Sequence, residues 1–175
     1  DGVPVFIDTD DSTEFKITPE QLKAVITPKT KILLLNTPSN PTGSVYTREE
    51  LTALGKVLEG TDIIVLSDEM YEKIIYNGKK FTAAAEVSED MFKRTVTING
   101  LSKAVAMTGW RFGYLASPDV KLVKALTKLQ GQVTSNINTM TQYAAIPALE
   151  GDADADIEMM RAAFEERKNI VVKSF

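Results

Sequence analysis

The sequence of 175 residues contains no cysteine and no histidine. Those absences exclude a thiolate nucleophile, a serine–histidine pair and a zinc site of the usual ligand set. Acid–base or nucleophilic work must therefore fall to Lys, Tyr, Asp, Glu, Ser or Thr, or to a bound cofactor. Long hydrophobic runs are also missing: Ile32 to Leu35 and Ile63 to Leu66 are strand-sized, far below the length that spans a bilayer. There is no excess of positive charge either. The net charge of −4 supplies no global electrostatic reason to seek nucleic acid or an anionic membrane, and neither is expected as a partner. No signal peptide is visible, which makes the cytoplasm the default expectation.

What is present suits one domain with a buried core, since 43% of residues are apolar and 25% charged, as in ordinary globular chains. The chain opens at "DGVPVFIDTD" without an initiating Met and stops at "RKNIVVKSF" inside a helix-like stretch, so it reads as a piece of a longer protein.

Val3 to Ile7 reads as a short strand. Thr18-Pro19-Glu20 supplies an N-cap with proline at the first helical position, predicting a helix to about Ile26. The near-continuous apolar run 30–36 is expected to be a strand buried on both faces of a parallel sheet. "TPSNPTG" (37–43) is a loop, and Thr47-Arg-Glu-Glu50 is a capping box that opens a helix to about Glu59. A second buried strand (62–68) leads into a predicted helix over 69–76, and 94–99 and 111–117 are further strands. Three helical stretches follow, near 119–130, 137–149 and 153–172. "GDADAD" (151–156) has the look of a calcium loop, but Ile157 and Ala163 stand where that loop needs Gly and Glu. It reads instead as an acidic helix start, and no metal site is assigned.

Strand–helix alternation with short connections predicts an α/β domain, a three-layer α/β/α arrangement with a mostly parallel sheet, followed by helices. In such sheets ligands bind beyond the carboxyl ends of the strands. There the sequence places Asn40, Asp68 with Tyr71 three residues on, and Asn99 with Lys103 four residues on. Singly, each has an ordinary reading as a turn residue, an N-cap or a solvated cation. Jointly they offer a carboxylate, a phenol, an amide and an amine, with Arg111 close behind. A lysine can attack an aldehyde once its pKa falls, an arginine fork suits a phosphate, and an aspartate can hold a protonated ring nitrogen. Those are the requirements of pyridoxal phosphate.

"NTPSNPTGSVYTREEL", "SDEMYEKIIYNG" and "NGLSKAVAMTGWRFGYLASP" resemble, in order and spacing, successive motifs of the fold-type I pyridoxal-phosphate aminotransferases of class I/II, the aspartate aminotransferase group. The resemblance implies that Lys103 forms the Schiff base with pyridoxal 5′-phosphate and moves the proton between substrate and cofactor. It implies that Asp68 pairs with the pyridinium nitrogen, that Tyr71 and Asn40 bond the ring oxygen, and that Arg111 binds the phosphate. The Asn40–Pro41 bond is a candidate for cis geometry, the 111–117 strand for antiparallel pairing, and Trp110 for packing. The family's Ser or Thr three residues before the lysine is replaced by Gly100; Ser102 lies nearby, out of register, and is kept as a candidate contact.

The expected activity is transfer of an amino group between an amino acid, aspartate foremost, and a 2-oxo acid, by a homodimer in which the stretch 130–139 crosses to the neighbour. Residues 1–150 are read as the cofactor-binding part of the large domain, and 151–175 as the start of the helix leading to a small domain. The segment on its own is expected to be inactive. Two other readings keep the same cofactor residues or fold: a β-lyase or synthase, and an aminotransferase-like ligand-sensing domain of a regulator. A nucleotide-binding domain is disfavoured because no GxGxxG follows a strand and no GxxxxGK[ST] occurs.

Overall fold

The computed structural model describes residues 2–175. Its four strands are β1 (Ile32–Asn36), β2 (Ile64–Asp68), β3 (Thr95–Gly100) and β4 (Gly113–Ala116), ordered β1-β2-β3-β4 in one sheet. β1, β2 and β3 run parallel, and β4 pairs antiparallel with β3, the orientation expected for the 111–117 strand. The class is α/β with a mostly parallel sheet.

The first helices begin where local chemistry directs. α1 (Pro19–Val25) starts at a capping box in which Thr18 accepts from the Gln21 amide, with Pro19 at the first helical position. α2 (Arg48–Leu58) starts at the Thr47–Glu50 box and buries Leu51, Leu54 and Leu58 along one stripe. That stripe packs with Leu22 of α1, Leu35 of β1 and Val65 of β2 in the main core. Each fully buried leucine contributes about 1.5–3 kcal/mol of transfer free energy. α3 (Glu89–Arg94), capped by Ser88, was not legible in the sequence. It fits because Gly55 of α2 leaves room for Met91: a Cβ at Gly55 would stand 2.8 Å from Met91 Cγ. Arg94 then ties α3 to the entry of β2, donating to the carbonyls of Thr61 and Ile63 and pairing with Asp90.

α4 (Val120–Val133), α5 (Thr139–Glu150) and α6 (Asp154–Ser174) make up the C-terminal half. A second, smaller core joins Leu101, just beyond β3, to Ala145 and Ala148 of α5.

Three expectations fail. Val3 to Ile7 is not a strand: residues 2–10 have no regular structure, and Val3, Val5 and Phe6 are exposed. A strand needs a neighbour's backbone to complete its ladder, and no strand of the sheet offers one here. Only Ile7 packs on the core. Residues 69–76 are not a helix but a succession of turns, closed by Glu72 N–H to Glu69 O and Ile74 N–H to Tyr71 O. Eight residues are too few to outweigh helix nucleation unaided, and the polar groups of this segment find distant partners instead. Finally, β1 is buried on one face only. Ile32 and Leu34, at 58% and 69% exposure, lie on a face that none of the described residues covers.

Thr95 Oγ1, at the start of β3, is buried without a hydrogen-bond partner. Thr95→Val, which keeps the shape and removes the orphaned hydroxyl, should raise unfolding stability by about 1 kcal/mol in urea titration. A loss of stability would mean that the hydroxyl has a partner.

Candidate active site

The parallel register brings three chain turns to one edge. Asn36 is level with Asp68, and Asp68 with Ile98, so β1, β2 and β3 end together. The ladder continues one step past β2, since Thr37 N–H donates to Asp68 O and Glu69 N–H to Ile98 O.

Asn36 organises the first loop. Its Nδ2 donates to Asp68 O at 3.3 Å, and its Oδ1 accepts from the Asn40 amide at 2.9 Å. Asn40–Pro41 is cis, as expected, and so is Thr37–Pro38, which was not anticipated. Held in this way, Asn40 donates through Nδ2 to the Tyr71 hydroxyl at 3.3 Å. Asp68 closes β2, and its Oδ1 accepts from the Met70 amide at 3.2 Å, fixing the turn that carries Tyr71. Lys103 Nζ stands 5.5 Å from the Tyr71 ring centroid, within cation–π range. Its turn is anchored on both sides, for Leu101 and Ala104 are buried while Lys103 itself is exposed.

Asn40, Tyr71, Ser102 and Lys103 thus share one cavity of about 810 Å³. Its lining includes the cations Lys79, Lys103 and Lys168, and none of the described residues lining it is an aspartate or glutamate. The charge distribution favours an anionic ligand.

Asp68 and Arg111 do not line this cavity. Asp68 stands at the end of β2. Arg111 faces a wider groove of about 1830 Å³ along β4, α4 and α5, together with Trp110. Its Nη1 donates to Thr108 O at 2.9 Å, and its backbone is left-handed, with φ 55°. The link to the lysine runs through Thr108, whose hydroxyl donates to Ser102 O at 2.7 Å. Thr108 lines the lysine cavity and was missed in the sequence, where a lone Thr before Gly-Trp carries no signal. Met160, Phe164 and Lys168 of α6 line it too. Their helical spacing was visible, but not what the helix would face.

Asn99 does not reach the cavity; its Oδ1 turns back to accept from the Gly100 amide at 2.7 Å. Gly100 has a steric cause. A Cβ there would lie 2.7 Å from Phe112 O and 3.1 Å from Gly113 Cα, both backbone atoms that cannot yield. Glu69, next to Asp68, is 2% exposed and has no cation bonded to it. Burial holds its carboxyl above the usual range, although it accepts from Ser67 Oγ at 2.8 Å and the Ala84 amide at 3.1 Å.

Parallel strands whose carboxyl ends open on a cation-lined cavity with an exposed amine define an α/β domain whose strand-end cavity is suited by charge to a small anionic ligand. The chain belongs to the aminotransferase class I and II family, whose family model matches residues 1–175. It is 50% identical over 170 residues to an aspartate aminotransferase of Geobacillus stearothermophilus, covering 97% of this chain and 43% of that protein. It is 49% identical over 171 residues to an asparagine–oxo-acid transaminase of Streptococcus mutans, covering 98% and 43%. Among solved structures, the aspartate aminotransferase from Rhizobium meliloti superposes with a TM-score of 0.92 at 41% identity, covering 97% of this chain and 42% of that one. The chain therefore spans less than half the length of these relatives.

Gly100→Ala should push β3 and β4 apart and destabilise the fold by about 1–3 kcal/mol in urea unfolding. A neutral result would show that the Phe112 carbonyl can move. Because folding raises the Glu69 pKa, stability should fall as pH rises from the ordinary carboxylate range through the raised value. Glu69→Gln, which keeps the acceptor oxygen, should flatten that fall and be at least as stable at neutral pH; lower stability there would mean that the charge itself is paired.

Proposed function

We propose that this chain is the cofactor-binding portion of an amino-acid aminotransferase that moves an amino group between aspartate and a 2-oxo acid with pyridoxal 5′-phosphate. The observation that carries the reading is the Asn40–Tyr71 hydrogen bond beside the Lys103 amine, in a cavity whose described lining residues include cations and no carboxylate. That donor set fits the group: an amine for an aldehyde, a phenol and an amide for a ring oxygen, and positive charge for a phosphate.

When bound, the cofactor supplies a carbonyl carbon open to amines and a ring that withdraws electrons from the bond to be broken. The chain's part is to bind, orient and move protons. Lys103 Nζ would be the amine facing the cofactor's carbonyl carbon and the base for proton transfer. Asp68, at the end of β2 outside the cavity lining, would be the carboxylate for the ring nitrogen. Tyr71 and Asn40 would donate to the ring oxygen, and their mutual bond sets the phenol's direction in advance. Arg111 would be the phosphate ligand; its side chain faces the neighbouring groove and is tied through Thr108 to Ser102, which lines the Lys103 cavity and would be a further contact. Aspartate as amino donor is supported by two of the relatives named above, both aspartate aminotransferases, while the third is an asparagine–oxo-acid transaminase. No separate observation favours the lyase or sensor readings.

The same reading takes residues 1–150 as cofactor-binding and 151–175 as the helix toward a small domain. It carries with it a cytoplasmic homodimer whose 130–139 stretch meets the neighbour. In support, Leu129, Val133, Met140 and Tyr143 around that stretch are exposed, leaving an apolar face for a second copy. None of the helices among the described residues is long and apolar enough to cross a membrane.

Mixing the purified chain with pyridoxal phosphate, reducing with borohydride and mapping the adduct by peptide mass spectrometry tests the assignment. Labelling should concentrate on Lys103 and vanish in Lys103→Ala. Labelling spread over exposed lysines, with no preference for Lys103, would sink the assignment of that residue in this chain.

A further inference from the structure

The turn segment that carries Tyr71 has no helix of its own, and its polar groups are held by α6. Along one stripe of that helix, Asp154, Glu158, Arg161, Glu165 and Lys168 follow at spacings of three and four. Lys73 Nζ pairs with Asp154 at 2.7 Å. Arg161 Nη1 donates to Ile75 O at 3.3 Å. The Asn77 amide, in a left-handed residue with φ 59°, donates to Glu165 Oε1 at 2.6 Å. Lys168 Nζ donates to Asn77 Oδ1 at 2.8 Å and lies 5.7 Å from the Tyr76 ring centroid. Arg161 is itself braced, bonded to Glu158 and to Glu165 Oε2 at 2.6 Å.

Isolated surface ion pairs contribute little. These differ because two of them end on backbone groups, Ile75 O and the Asn77 amide, and because the Arg161 and Glu165 side chains are each only 23% exposed. An adjacent stripe of α6 adds buried Ile157 and places Met160 and Phe164 in the wall of the Lys103 cavity. Tyr71 is therefore held from two directions. Asn40 fixes its hydroxyl, and α6 fixes the chain that follows it, through Ile74 N–H to Tyr71 O and then Ile75 and Asn77.

We propose that Arg161 and Glu165 are positioning residues: by clamping 75–77 to α6 they hold the Tyr71 hydroxyl against Asn40 at the Lys103 cavity. The inference rests on the reading of Tyr71 as a cofactor ligand given above. It makes the cavity's shape and the seating of α6 one variable, so displacement of α6 displaces Tyr71.

Two readouts test this in the full-length protein. Without cofactor, Arg161→Met should speed hydrogen–deuterium exchange at the Asn77 amide and across 71–77, and leave the far end of α6 unchanged. With pyridoxal phosphate bound, the pH midpoint of its visible absorbance should rise by about one unit in Tyr71→Phe, as expected for loss of one hydrogen bond to a charged group. Arg161→Met should move the midpoint part of the way in the same direction, and the double variant should match Tyr71→Phe alone. A midpoint unmoved by Arg161→Met, or shifts that add in the double variant, would overturn the proposal. If Tyr71→Phe leaves the midpoint in place, the cofactor reading of Tyr71 falls instead. The clamp is then decided by exchange: faster exchange over 71–77 in Arg161→Met sustains it, and unchanged exchange overturns it. Should Arg161→Met not fold, Glu165→Ala carries the same expectations.

Discussion

Parallel pairing in register of β1, β2 and β3 is the constraint from which the site follows. Because Asn36, Asp68 and Ile98 lie level, the three chains leave the sheet at one edge and at one height. The loops bearing Asn40, Tyr71 and Lys103 then need to travel only a few residues to meet. The first hydrogen bonds past the strands, Thr37 to Asp68 and Glu69 to Ile98, carry sheet geometry into those loops before they turn. A slip of one residue in either pairing would reverse every side chain of that strand and take the loops out of step.

Two kinds of force divide the work. Apolar burial of α2 against one face holds β1 and β2 together, and it is nondirectional. Around the cavity, directional bonds take over: Asn36 to Asn40, Asn40 to Tyr71, Thr108 to Ser102, and α6 to the 75–77 backbone. The turn after β3 also stores strain, with Ala106 and Arg111 both in the left-handed region at φ 54° and 55°. Each such non-glycine residue costs on the order of 1–2 kcal/mol. Leu101 and Ala104, buried on either side of Lys103, supply the anchoring that keeps the strained turn in place. The Lys103 amine, held out on an exposed turn, is thus positioned by its buried neighbours, since it cannot be both accessible and packed.

The glutamate after Asp68 illustrates the same division. A buried carboxylate without a cation is unfavourable in isolation, yet its two donors come from β2 itself and from the turn at Ala84. It thereby joins the segment returning toward α3 to the strand end that bears Asp68.

Local chemistry was legible in the sequence. Thr18 followed by Pro19, and Thr47 with Glu50 three residues on, specify helix starts within a single turn of chain, and the structure has both starts, with Gln21 completing a box at Thr18 as well. The strand runs, the order of the three motifs and the gathering of Asn40, Tyr71 and Lys103 near one edge could be read because strand ends and short loops leave few alternatives. Where distant segments decide, the residues were silent. Nothing in Val3 to Ile7 says that it lacks a strand to pair with, nothing in 69–76 says that α6 will take its backbone bonds, and nothing in 30–36 says that one face stays open. Arg111 was identifiable as a residue but not its direction, because its left-handed backbone and its bond to Thr108 are set by the packing of the whole turn. By itself, then, the sequence determined which elements form and which chemical groups the strand ends carry, since those depend on neighbours within a few residues. Only the tertiary structure decided which of those groups face one another, because that depends on register, on the close approach at Gly100 and on a helix more than eighty residues away.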